Sequence, residues 1–289
     1  KSPKRFFTQV WPNEYSPKAR VSGFRPRISF SPHVKKRNKG QIMKTPCSWA
    51  RTLTVALGIA SMAAWEASSA EPGPEIPFTG SLNVLGPVPA FEPNALPLDW
   101  VSEGKIEQGQ LAVVEKTGIP ALRVINGKNQ FVTVKPTQAS LLATPYLSWS
   151  WNMEPSESGV HPVRLVIGFH GNNAAPSGWE GLSSAARRNT LPPHDRAIVI
   201  LWGHSALQRG SIAKPETIGS KQTAARYTAR GGSENTGSWW FETIDLSDIY
   251  RRTWPQDKIE NARIMFIGIA AAGGKAQSPA YISGLRLSR

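Results

Sequence analysis

Between Tyr146 and Glu154 apolar and polar residues alternate one for one, with Leu147, Trp149, Trp151 and Met153 set against Ser148, Ser150 and Asn152. A second run follows, in which Val163, Leu165, Ile167 and Phe169 alternate with Arg164, Val166, Gly168 and His170. A period of two puts each apolar set on one face of a strand. The spacing predicts two strands, joined by a loop with Pro155, Gly159 and Pro162, that neighbour each other in an antiparallel sheet with one oily face.

Similar runs recur at Gly109–Val114, Ala121–Ile125, Phe131–Val134, Ala197–Trp202, Ala225–Arg230, Trp239–Asp245, Arg263–Ala270 and Ala280–Leu287. Turn residues separate them, among them Asn126-Gly127, Gly231-Gly232 and Gly273-Gly274. Ile198–Trp202 is apolar on both faces and predicts a central, fully covered strand. Only Leu246–Arg252 and Leu182–Arg187 read as helical, and both are short. About ten strands with little helix imply an all-β chain folded as two packed antiparallel sheets, a β-sandwich or jelly roll.

The chain before this region has another texture. Residues 1–42 are basic, rich in Ser and Pro, and without apolar periodicity, so they are expected to be a disordered, upstream-translated segment. Met43 opens the pattern of a signal peptide over 43–70. Lys44 and Arg51 come first, then the apolar stretch Leu53–Ala64, then the small residues Ser68-Ser69-Ala70. An apolar core of about a dozen residues is shorter than the roughly 20 needed to span a bilayer. The expectation is cleavage near Ala70 and a periplasmic or secreted product with no membrane span. A basic organelle transit peptide is the rival reading. Residues 71–98 contain seven prolines and read as an extended linker or strand-edge arm, leaving 99–289 as the β-sandwich domain.

Charge sharpens this division. The formal net charge is +14, yet residues 1–70 hold 13 Lys and Arg against two acids, while the remainder holds 21 against 18. The folded part is therefore near neutral, and nucleic acid is rejected as its partner, because phosphate binding needs a clustered basic face. The only cysteine is Cys47, so no internal disulfide is possible.

Two pieces imitate an α/β-hydrolase: Leu165–Gly171, ending in His-Gly, and Val199–Ser205, resembling a nucleophile elbow. The elbow requires Gly two residues after the serine, where Leu207 stands, and its base must follow, whereas His204 is the last histidine. No histidine pair has zinc-ligand spacing, so neither metal nor cofactor is assigned. Asp245 reads as the cap of the turn that follows it.

Trp239 and Trp240 are adjacent, so in a strand they face opposite ways and one of them leaves the core. Alternation places Trp240 beside Glu242 and leaves Ser148, Ser150, Asn152, Arg164, His170, Arg226, Thr228 and Arg230 on polar faces. If these strands share a sheet, Asn152, Arg164, His170, Arg230, Trp240 and Glu242 form a polar-aromatic face suited to a sugar or polar polymer, whose flat C–H surfaces stack on indole. An ordinary solvated sheet face is the alternative. The expected function is a non-catalytic binding module for carbohydrate or cell-envelope polymer. The alternatives are a glycan-active enzyme using Glu242 or Glu154, and a purely structural envelope protein.

Phe91–Trp100, Ala121–Val124, Leu147–Trp151, Arg164–Ile167, Ile200–Gly203, Gly237–Trp240, Asp248–Arg252 and Ala280–Arg286 occur in an order that resembles an uncharacterised family of exported bacterial proteins, domain of unknown function 3047. The resemblance implies a β-sandwich and export, and no activity. Where that family tends to be acidic, this chain has Ser156–His161 and Ala270–Gln277, so an acid-dependent function of relatives is not carried over.

Overall fold

A computed structural model of the chain describes residues 80–289, apart from 93–95, 158, 172–182, 219–220 and 276. The segments read as upstream region and signal peptide lie outside the described residues, as does Trp179. The strands are β1 (Ser81–Asn83), β2 (Val101–Gly104), β3 (Leu111–Lys116), β4 (Ile119–Ile125), β5 (Phe131–Ser140), β6 (Tyr146–Met153), β7 (Val163–His170), β8 (Arg196–Gly203), β9 (Ile212–Ala213), β10 (Thr217–Ile218), β11 (Lys221–Gln222), β12 (Ala225–Gly231), β13 (Trp239–Asp245), β14 (Arg263–Ala271) and β15 (Pro279–Ser288). Among the described residues there are two short α-helices, α1 (Ser184–Arg188) and α2 (Leu246–Thr253), and three single-turn 3₁₀ helices.

The protein is an all-β sandwich. A front sheet runs β13-β6-β15-β4-β3, with β1 beside the far half of β15. A back sheet runs β2-β5-β14-β7-β8-β12-β9. All pairings are antiparallel except that of β8 with β12. β1 lies in the stretch read as a proline-rich arm, and there Leu82, Val84, Leu85 and Phe91 join the core.

One expectation is corrected. β6 and β7 are not neighbours: β6 lies between β13 and β15 in the front sheet, and β7 between β14 and β8 in the back sheet. Alternation fixes the face a residue takes but not the sheet its strand joins. The oily faces of β6 and β7 meet across the interior instead of lying side by side. Trp149 and Trp151 are fully buried, and Trp151 meets Trp202 of β8 edge-on at 5.5 Å, tying the sheets together.

β8 is central and covered on both sides, as its sequence implies. Ile198, Ile200 and Trp202 face the interior, while Val199 and Leu201 belong to a second apolar cluster with Val101, Val132, Val166, Leu191 and Phe266. That cluster lies on the outer side of the back sheet. Gly168 is part of it by default: a Cβ there would sit 2.2 Å from the Phe266 ring, so only glycine lets the ring lie across the strand. Asp245 caps α2 as expected, its Oδ1 accepting from the Ser247 and Asp248 N–H groups at 2.8 and 3.0 Å. Ser205, the would-be nucleophile, instead accepts from Leu207 N–H and caps a 3₁₀ turn.

Candidate functional site

The six residues singled out from sequence occupy three different surfaces. Asn152 stands on the outer side of the front sheet, opposite in facing to the buried Trp151 and Met153. Arg164 and His170 lie on the outer side of the back sheet, where Arg164 is 2% exposed. Arg230, Trp240 and Glu242 turn inward.

The inward turn has a local cause. Arg226 and Thr228 pair with Val199 and Leu201 on the outer side, but the register shifts between Thr228 and Arg230, which pairs with Trp202. This β-bulge carries Arg230 to the opposite face from the one its period predicts. There its Nε donates to Glu242 Oε1 at 2.5 Å and its guanidinium stacks on Trp240, 3.8 Å from the ring centroid. Arg209 donates to the other carboxylate oxygen at 3.1 Å, and Trp240 Nε1 donates to Asn235 O at 2.8 Å. Glu242, 3% exposed, is therefore a neutralised strut between the sheets.

What the front sheet leaves outside is a different set. The register aligns Trp239, Asn152, Tyr281, Arg123 and Ala112 in one row across five strands. The next row carries Phe241, Ser150 and Ser283, and the third Thr243, Ser148 and Arg286. Gly284, at φ 62, sits in a bulge of β15 that keeps Arg286 outward while Leu285 and Leu287 stay in the core. Phe241 is 63% exposed. Of the adjacent tryptophans, Trp239 is the one that leaves the core.

The first row is bridged at one end. β3 and β4 are joined by Thr117 (φ 50) and Gly118 (φ 78), a two-residue turn of the hairpin type. Trp239 Nε1 donates to Lys116 O at 3.1 Å and to Thr117 Oγ1 at 2.8 Å. Four inter-strand steps would hold β13 and β3 about 19 Å apart in a flat sheet. The sheet must therefore curl, bringing the hairpin tip over β15 and β6 and making this end of the face concave. Lys116 marks the crossing: it pairs with Glu154 at 2.6 Å and lies 4.7 Å over the Tyr281 ring. Its hydrogen bond to Glu154 holds the Lys116 ammonium above its usual range.

The two glutamates of the enzyme alternative stand on opposite sides of the front sheet. Glu242 is inside and Glu154 is outside, ion-paired to Lys116. Among the described residues, the other carboxylate at an outward position of these five strands is Asp245. It lies eight residues along from the end that holds Glu154, about 26 Å at strand rise. Glycoside hydrolysis with two carboxylates uses separations of roughly 5–9.5 Å.

A hollow of about 790 Å³ lies elsewhere, between the 127–130 and 272–275 stretches. Lys128, Asn129, Lys275 and Gln277 line it and no aromatic does, so size and chemistry point to different places. The aromatic row is the better candidate, because a curved sheet face binds a chain along its length without enclosing it. No group of three or more potential metal ligands occurs among the described residues.

No protein-family model matches the chain, and no curated protein matches it. Among solved structures, the chain is similar to a family 11 carbohydrate-binding module from Clostridium thermocellum in complex with a β-1,3-1,4-mixed-linked tetrasaccharide. The TM-score is 0.33 at 12% identity, over 68% of this chain and 93% of that one. A native family 12 xyloglucanase from Bacillus licheniformis gives 0.36 at 10% identity, over 72% and 99%. A family 30 carbohydrate-binding module of a Clostridium thermocellum cellulosomal cellulase gives 0.36 at 13% identity, over 72% and 96%. At these TM-scores the likeness assigns neither ligand nor role to any residue.

Proposed function

We propose that the outer face of the front sheet is a non-catalytic binding surface for an extended carbohydrate or cell-envelope polymer, carried by an exported bacterial protein. The observation that supports it is Phe241. A phenyl ring 63% exposed, on a strand whose alternate residues fill the core, has no packing role to explain it. It lies beside Trp239 and across from serines that offer hydroxyls at the spacing of the sheet. Flat apolar rings interleaved with fixed polar groups suit the alternating C–H and O–H surfaces of a sugar chain. The signal-peptide pattern over 43–70 and the resemblance to an exported family support export. No helix among the described residues is long and apolar enough to cross a membrane.

Retention of the full chain on a panel of immobilised polysaccharides tests the binding half. At least one polymer is expected to retain it, with retention lost on Phe241→Ala. A chain that passes every polymer unretained ends this reading. Sequencing the N-terminus of the product exported by a bacterial host tests the other half: it should start near Glu71, and a start near Lys1 refutes export.

A further inference from the structure

Arg123 is the outward residue of its row that no internal contact explains. The four other outward positions of that row are Trp239, Asn152, Tyr281 and Ala112. Its Nε is buried without a hydrogen-bond partner, and no carboxylate pairs with it among the described residues. In the same row Asn152 gives its amide N–H to Gly237 O at 3.1 Å, while its Oδ1, fully buried, has no donor. An unpaired buried donor and an unpaired buried acceptor in one row, on either side of Tyr281, are uncommon and call for an explanation. The neighbouring acid is unavailable, since Glu154 is held by Lys116. Two rows along the same face Arg286 is exposed and likewise has no acidic partner among the described residues. The face thus presents two guanidinium groups without an acidic partner among the described residues, while exposed Glu115, beside Lys116, falls by alternation on the other side of β3, with Leu111 and Val113.

Resting on the polymer-binding reading, we propose that this face selects an acidic polysaccharide, with Arg123 seating the carboxylate of a uronic-acid residue beside the Tyr281 ring. A guanidinium offers its Nε–H and one Nη–H as a parallel pair that matches the two oxygens of a carboxylate, which a neutral hydroxyl does not. The partner that completes Arg123 Nε is therefore anionic and planar. Arg286 takes a second negative charge further along the chain. Lysine in place of arginine keeps the charge and loses the fork.

The experiment measures binding of the full chain to polygalacturonate, to alginate, and to fully methyl-esterified polygalacturonate, which keeps the sugar and removes the charge. A neutral β-glucan is the control. The expected result is binding to an acidic polymer that weakens at least tenfold on esterification. Arg123→Gln should weaken it as much, and Arg123→Lys by less. Equal binding of the acid and its ester, or retention on neutral glucan alone, overturns the acidic-glycan inference and leaves the polymer-binding face standing. Retention on nothing overturns both. The esterification arm uses the unaltered chain, so the outcome does not depend on any variant folding.

Discussion

The two sheets share one core but differ on their outer sides. In the back sheet Val101, Val132, Val166, Val199, Leu201 and Phe266 form an apolar outer layer, and Leu191 and Ala224 pack onto it from outside the strands that carry it. In the front sheet the equivalent positions are Trp239, Phe241, Thr243, Ser150, Tyr281 and Arg286, and the rest of the chain leaves Phe241 and Arg286 exposed. An outer face that the protein needs for its own stability is aliphatic and covered. One kept for something else mixes rings with hydrogen-bonding groups. Substituting matched positions on the two sides separates these roles.

The largest effect is expected from charging the covered side. Val199 is fully buried on β8, and Val199→Asp would strand an unpaired carboxylate in apolar surroundings, a change that costs several kcal/mol or is relieved only by unfolding. Urea denaturation would show the protein unfolded or its midpoint sharply lowered, and an unchanged midpoint would contradict the covered layer. Next is the strut between the sheets. Glu242→Ala leaves Arg230, whose side chain is 12% exposed, without its counter-charge, and a loss of about 3–5 kcal/mol is expected. Arg209→Ala removes the partner that is 59% exposed, and a loss under about 1 kcal/mol is expected. Similar losses for both would mean that Glu242 is not buried as described.

These residues also show what the sequence could and could not carry. Alternation identified the inward residues of β6 and the double coverage of β8, because burial imposes the period directly. It places Trp239 and Trp240 on opposite sides but picks Trp240, with Glu242, for the outer face, whereas the structure turns both inward and leaves Trp239 outside. Arg230 was assigned to the wrong face because one extra residue in β12 inverts the period, and Ala229 has no signature that marks a bulge. Which sheet a strand joins depends on contacts between distant segments, so β6 and β7 were paired by proximity in the chain. Of the six residues that alternation points to, Asn152 alone belongs to the aromatic row. Tyr281 and Arg123 stand in other strands, and only the register brings them beside it. The turn at Thr117–Gly118 carried a weak signal, a single glycine between two β-type runs.

A smaller effect distinguishes two buried titratable groups. Burial raises Glu103, on the back sheet's edge strand, from 4.5 to about 7. Burial lowers His161, in the loop between β6 and β7, from 6.5 to about 4. The folded state holds the extra proton on Glu103, so this contribution to stability is lost as pH rises from 4.5 through 7. It lacks the proton on His161, so that contribution is lost as pH falls from 6.5 through 4. Between pH 4.5 and 6.5 the two slopes oppose each other. Glu103→Gln should leave the slope of His161 exposed, so that stability relative to the parent gains with pH by up to ~1.4 kcal/mol per unit. His161→Asn should tilt it the other way. Denaturation midpoints at three pH values across this window read both signs, and parallel profiles for parent and variants would refute the burial of these groups.

The smallest effect on stability is the most informative one. Phe241 and Ile244 lie on the same strand, three residues apart and facing opposite ways, and they are 63% and 7% exposed. If the outer face is spare surface, Phe241→Ala changes little, since surface substitutions away from caps and networks usually fall within about 0.5 kcal/mol. Ile244→Ala, by contrast, removes core volume and is expected to cost about 2–5 kcal/mol. A protein that conserved Phe241 for folding would show comparable losses for the two. One that holds it out to meet a ligand would show none for Phe241→Ala in denaturation and a clear loss in polysaccharide retention. Phe241→Asp strengthens the contrast, because a carboxylate in that position is solvated in the free protein and repels an acidic chain. Unchanged stability with binding abolished would place the ring in the ligand's path, whereas unchanged stability with unchanged binding would remove it from any site on this face.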